Sequence, residues 1–397
     1  MFAASSLPRF PNLDQLKHQA KDLLREVRAR EPDAVRAFQD HPRAVSADEA
    51  KLADAQLLLA RRYGFDSWPK LRLEIAGRQL RKAVWDKNPQ AALQVLEAEP
   101  GSLHESGSHP MWGGQPNALH VAAERGNLET VGLLLDRGAD PNNADQYATP
   151  LYLAAHWGHT EVVQLLIDRG ADVDIFAAAL LCDLDTMKSL LSETPSIAMA
   201  PGRNSAPPLH AAGSPEVAQL LIDHGARLDT VDDLGNTPLG SALNRGERGR
   251  AVALFLIEKG SEADPCQLSA LGQTDRLEAL IASDPTTVSF TGKIGVNAVV
   301  GTPLHASMKG SDQATVQLLL EHGADPNARA DMGQTPLHLC GSEAIARLLV
   351  DAGADPNATD DEHNTTPLTW ARVDIEIQGD TPERRELVSY LEEVTEG

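Results

Sequence analysis

The densest cluster of chemically able side chains lies between Gly101 and Pro116, which hold His104, Glu105, His109, Met111 and Trp112. Imidazoles titrate near neutrality, so two of them beside a carboxylate could perform general acid-base work. Zinc is a poorer fit. An H-E-x-x-H site needs two histidines four apart on one helical face, whereas His104 and His109 are five apart in a Gly/Ser stretch that will not be helical. Asp360-Asp361-Glu362-His363 crowds carboxylates into a turn without the glycine and closing glutamate of a calcium loop, so these side chains are expected to be solvated. Thr291-Gly292-Lys293 lacks the upstream glycine of a phosphate loop, and no Gly-x-Ser-x-Gly elbow occurs. No metal and no cofactor is expected. Cys182, Cys266 and Cys340 are odd in number, far apart and without C-x-x-C spacing, which argues against a disulfide framework and implies a reducing compartment. Neither a signal segment nor a run of ~18 apolar residues is seen, so the expected location is cytoplasmic, away from membranes.

The elements that position these side chains repeat. Seven related phrases occur: Asn117-Ala118-Leu119-His120, Thr149-Pro150-Leu151-Tyr152, Pro207-Pro208-Leu209-His210, Thr237-Pro238-Leu239-Gly240, Thr302-Pro303-Leu304-His305, Thr335-Pro336-Leu337-His338 and Thr366-Pro367-Leu368-Thr369. Neighbouring copies start about 30 to 33 residues apart and a leucine-rich run follows each. In Thr149 to Asp172 a threonine cap and a proline open one helix that Gly158 breaks, and a second, apolar helix ends at Gly170. Phrase and period resemble the ankyrin repeat family. The resemblance implies an all-α repeat solenoid. It also implies that the phrase histidine bonds neighbouring backbone and ties adjacent layers, which assigns His120, His210, His305 and His338 to structure; His159 matches a structural position too. Tyr152, Gly240 and Thr369 replace that histidine, and their layers are expected to lose the tie.

Three further segments, Lys87 to Pro100, Cys182 to Pro195 and Gly272 to Pro285, keep only the second-helix pattern, which brings the count to ten repeats. Each leads into a long connection, 101–116, 196–206 or 286–300, expected to project from one edge of the stack. The third alternates Val288, Phe290, Ile294 and Val296 as a β-hairpin would, either pairing with the neighbouring finger or receiving a partner strand. His210 to Leu220 and His338 to Leu348 are each three residues shorter than His120 to Leu133, which predicts a first helix shortened by one turn in both. These regularities point to duplication of a three-repeat block.

Residues 1–76 contain no phrase. Helical periodicity runs from Leu13 to Val27, a Ser46/Glu49 capping box predicts a second helix ending at Tyr63, and Ser67-Trp68-Pro69 opens a third. The stretch Leu59 to Leu71 resembles a helical module that precedes ankyrin repeats in many bacterial proteins, so a bacterial protein is expected, with a capping module at 1–76 and repeats over 77–397.

In ankyrin proteins, binding residues come from hairpin tips and from the two positions just before the first helix ends. Those positions carry Glu124 and Arg125, His156 and Trp157, and Asn244 and Arg245. Trp157 beside His156, Tyr147 in the preceding turn, and Trp112 with Arg125 have the composition of an interface hot spot or of a small-molecule pocket. Net charge is −22, and its distribution is uneven: residues 1–80 carry 14 Lys and Arg against 11 Asp and Glu, the remainder 21 against 46. Acidic repeats repel phosphate backbones, which disfavours nucleic acid and favours a basic protein partner. The leading expectation is a non-enzymatic protein-binding scaffold using Trp112, Arg125, Tyr147, His156 and Trp157. The alternative is an enzyme or small-molecule binder under the 101–116 loop, with His109 or His156 as acid/base and Glu105 or Glu124 as its partner. An enclosed pocket would favour the second, an open groove the first.

Overall fold

The structure, a computed structural model, describes residues 7–8, 11–39, 43, 45–109, 114–144, 148–293, 300–310 and 312–396. Trp112 and Tyr147, and with them Met111, Ile294 and Val296, lie outside the described residues. The chain is mostly helical, as expected: the described residues form 21 α-helices, six short 3-10 helices and one two-stranded sheet. None of these helices is long and apolar enough to cross a membrane. Contacts divide the chain into two compact units, Met1–Leu181 and Cys182–Gly397.

In the first unit, Asn12 opens helix Leu13–Arg28 by accepting from the N–H groups of Asp14 and Gln15 at 2.9 and 3.1 Å. Helix Pro32–Gln39, which the periodicity did not reveal, buries Ala34 and Phe38. The third helix begins at Leu52, six residues after Ser46. The Ser46 hydroxyl and Glu49 carboxylate instead bond each other at 2.7 Å in a separate turn, and the Asp54 carboxylate accepts from Lys51 N–H at 2.8 Å at the true helix start. Ser67 and Pro69 open the next helix as expected, but Trp68–Trp85 runs for 18 residues without interruption. The boundary expected at 76/77 therefore falls inside a helix whose first half packs into the N-terminal helices, through Leu71 and Ile75. Its second half packs through Leu80 and Val84 against the first layer.

That layer is completed by Pro89–Ala98. Helix pairs Ala118–Glu124 with Leu128–Asp136, and Pro150–Trp157 with Thr160–Asp168, follow, then Ile175–Leu181. Leu119, Leu134, Leu151 and Leu166 are at most 1% exposed in the shared core, each side chain contributing about 1.5–3 kcal/mol by leaving water.

The second unit repeats the arrangement with two predicted departures. Pro208–Ala211 and Pro336–Leu339 are four-residue 3-10 helices where other layers have α-helices, so the shortened first helix is real in both. At the C-terminus, helix Pro382–Glu396 covers the last layer with Leu387, Tyr390 and Leu391, and Arg347 lies 4.2 Å above the Tyr390 ring.

The three long connections begin alike. Pro100, Pro195 and Pro285 each start a five-residue 3-10 turn after a residue of near-identical φ (−146°, −141° and −144°). Each turn buries an apolar side chain, Leu103, Ala198 or Val288, which anchors the start of the connection to the stack. The third closes into a hairpin with Gly292 opposite Gly301 and Lys293 opposite Val300. It pairs with neighbouring fingers: Lys293 Nζ donates to the Leu234 carbonyl at 2.8 Å, and Asp331 N–H donates to the Val300 carbonyl at 3.1 Å. The second connection is tied in the same way, Asp233 N–H to Asn204 carbonyl at 2.8 Å.

Candidate functional site

The sequence-derived candidates of the first unit separate into two groups on consecutive layers. Around the 101–116 connection, His109 Nε2 lies 2.9 Å from Glu124 Oε2, and the two side chains are only 4% and 12% exposed. His109 meets Trp85 edge-on at 5.2 Å, and Arg125 stacks 4.4 Å above the same indole, a cation-π contact of about 0.5–2 kcal/mol. Below them Arg81 is 1% exposed. Its Nη1 donates to the Glu105 carbonyl at 2.9 Å, and burial pulls its pKa down. Gly107 lets the guanidinium approach this closely, since a Cβ at that position would stand 2.2 Å from Arg81 Nη2 and force the arginine to shift. His109 and Glu124 thus form a buried pair that pins the connection to the end of helix Ala118–Glu124.

The second group lies along helix Pro150–Trp157. Tyr152, at the phrase-histidine position, stacks on His156 at 5.9 Å, and His156 meets Trp157 edge-on at 5.4 Å. Tyr152 and His156 are half-buried, whereas Trp157 is 42% exposed at the last helical position before Gly158.

The phrase histidines have one geometry. Nε2 of His120, His210, His305 and His338 lies 3.0–3.1 Å from the carbonyls of Ala148, Asn236, Gln334 and Thr365, each the residue immediately before the next phrase. Nδ1 of His305 and His338 accepts from the N–H of the phrase threonine at 3.2 and 3.1 Å. At His210 the cap is Pro207, which has neither N–H nor hydroxyl, and Nδ1 is buried without a partner. Burial pushes the pKa of His210, His305 and His338 down, so these rings are neutral donors at pH 7. His159 Nε2 bonds the Glu124 carbonyl at 2.9 Å, again joining neighbouring layers.

A family profile for ankyrin repeats, in three copies, matches residues 80–177 and 266–360. This is an ankyrin repeat protein. It is similar to the ankyrin repeat protein nuc-2 of Neurospora crassa, 29% identical over 53% of this chain and 18% of the relative. It is also similar to human Rabankyrin-5, 28% identical over 41% and 13%, and to the E3 ubiquitin-protein ligase XB3 of Oryza sativa subsp. japonica, 33% identical over 38% of each. The chain spans less than two-fifths of these relatives' lengths. All three are eukaryotic, so they lend no support to the bacterial type expected from residues 59–71.

Within the ankyrin layers the remaining candidates are placed as follows. Arg245 is turned inward: its Nη1 and Nη2 donate to the His210 and Ala212 carbonyls at 2.7 and 2.6 Å, capping the shortened helix of the layer before. Asn244 lines a cavity in the second unit. Asp360, expected to be solvated, is 2% exposed. It accepts from the N–H groups of Glu362, His363 and Thr365 at 3.0, 2.7 and 3.1 Å, from Trp370 Nε1 at 3.0 Å and from the Thr365 hydroxyl. Burial acts to raise its pKa, but these donors outweigh it and hold the carboxyl well below the usual range.

Sequence reasoning missed the asparagine clamps. Asn142 Nδ2 donates to the Gly170 carbonyl at 2.9 Å while its Oδ1 accepts from Asp172 N–H at 2.7 Å; Asn327 does the same with Gly353 and Asp355 at 2.8 and 2.7 Å. Their signal was visible as the recurring Ala-Asp-Pro-Asn at 139–142, 324–327 and 354–357.

Proposed function

We propose that this chain, a protein–protein interaction domain by its ankyrin repeats, is a non-enzymatic scaffold. Its partner docks on consecutive first-helix ends in the first unit, against Arg125, His156 and Trp157. The carrying observation is Trp157: an indole 42% exposed at a helix end, with His156 edge-on beside it. Tryptophan is among the residue types most enriched in hot spots. The acid/base alternative loses ground because His109 and Glu124 are committed to each other in a buried pair. The acidity beyond residue 80 favours a basic partner whose association slows as salt rises. Three free cysteines, two of them buried, fit the reducing environment of the cytoplasm.

The test is calorimetry with the partner recovered by affinity capture from the source organism. Trp157→Ala should weaken its binding by more than ~2 kcal/mol while leaving the circular dichroism spectrum unchanged. An affinity that survives this substitution places the interface elsewhere.

A further inference from the structure

Four phrase histidines reach the carbonyl just before the next phrase, and His120, His305 and His338 are also bonded to their own helix cap. At Gly240 that bridge is missing, and the structure is open there. A cavity of about 520 Å³ lies between Thr237, Gly240 and Asn244 on one layer and Ala263, Asp264 and Gln267 on the next. Helices Pro238–Leu243 and Pro265–Ala270 scarcely touch, whereas Pro265–Ala270 packs closely on Pro303–Gly310 and Ala118–Glu124 on Pro150–Trp157. A Cβ built on Gly240 meets nothing closer than the Thr237 hydroxyl at 3.7 Å. By the register of the other layers, a histidine here would accept from Thr237 N–H and donate to the Ala263 carbonyl. Neither group has a hydrogen-bond partner among the described residues.

We propose that this cavity binds a small compound with an unsubstituted imidazole ring, best a purine base, whose ring nitrogens take the two bonds of the absent histidine. The opening is several times larger than a lone imidazole and falls within the ~300–1,000 Å³ of ligand pockets, so the fused ring fills it better. The charge of the lining selects against anions. Glu247, Glu262 and Asp264 line it together with Arg250 and Lys293, an excess of acidic over basic side chains, and the donors of both cations are engaged by backbone: Arg250 with the Ala270 and Leu271 carbonyls at 3.2 and 2.8 Å, Lys293 with the Leu234 carbonyl. A free base is accepted where its phosphorylated form is repelled.

The experiment titrates the full chain with adenine, 9-methyladenine and imidazole, reading heat and the unfolding midpoint. Adenine should bind saturably and raise the midpoint. 9-Methyladenine, which has no imidazole N–H, should bind at least tenfold more weakly, and imidazole should show the same saturable shift at higher concentration. Gly240→His should raise the midpoint without ligand and abolish the response to adenine. Should that variant fail to fold, Gly240→Leu, which fills the space without the polar groups, must also lose the response. Absence of saturable adenine binding, equal binding of 9-methyladenine, or an undiminished response in the filled variants each overturns the proposal.

Discussion

His305 holds Gln334, 29 residues further along the chain, through a 3.0 Å bond from Nε2 to its backbone carbonyl, while Nδ1 accepts from Thr302 N–H at 3.2 Å. One neutral ring thereby satisfies the cap of its own helix and the start of the next layer. His305→Ala leaves both backbone groups unpaired at a position that is 0% exposed. The expected loss is about 3 kcal/mol in urea unfolding. His305→Gln, which keeps a donor and an acceptor, should lose less; a cost for alanine below ~1 kcal/mol would mean that the tie contributes little.

At His210 the same ring lacks half of its partners because Pro207 occupies the cap. Pro207→Thr supplies the N–H and hydroxyl that Thr302 gives His305, and should stabilise by about 1 kcal/mol, after the added chain entropy of losing a proline. The gain should vanish in a His210→Leu background, and a gain that persists there has another source.

Burial depresses the pKa of His210, His305 and His338, so the folded chain resists protons that the unfolded chain takes up below about pH 6.5. Their stabilisation is complete above that pH and is lost as pH falls through the depressed folded values. Each histidine adds a slope of up to ~1.4 kcal/mol per pH unit within its window. Unfolding midpoints measured from pH 7.5 to 5 should fall, and His305→Gln should flatten the curve. An unchanged slope in that variant would be inconsistent with a buried neutral ring.

Asp360 works in a lower range. Its carboxylate, held down by the Thr365, His363 and Trp370 donors, stabilises the fold above about pH 4 and ceases to as pH drops through its depressed value. Asp360→Ala should cost about 3 kcal/mol at pH 7 and remove part of the acid sensitivity below pH 4. Equal acid sensitivity in the variant and the parent would assign that sensitivity to other carboxylates.

The repeat phrase made the layers and the layer-tying histidines legible before any coordinates, because each tie joins groups at a fixed offset from the phrase. The shortened helices at His210 and His338 could be read by counting alone. Helix Pro32–Gln39 was missed because eight residues give too few turns for a period to show. Arg245 was assigned outward by position, yet the truncated helix before it exposes the His210 and Ala212 carbonyls that draw it in; a position rule taken one repeat at a time does not include its neighbour. Asp360 was misjudged for a similar reason, since its donor Trp370 belongs to the following layer. The pairing of His109 with Glu124, 15 residues apart, depends on how the 101–116 connection folds back, which neither spacing nor composition specifies.

The gap beside Gly240 also has a mechanical meaning. In a stack whose layers hold only their nearest neighbours, tension is carried in series and the structure yields at the interface with the fewest bonds across it. Within Cys182–Gly397, helices Pro238–Leu243 and Pro265–Ala270 share neither a histidine strut nor much contact, so the link between their layers rests on side chains, chiefly Arg250 bonded to the Ala270 and Leu271 carbonyls. Stretched from its ends, this unit loads those side-chain bonds, and a ligand seated in the gap acts as a removable rivet beside them.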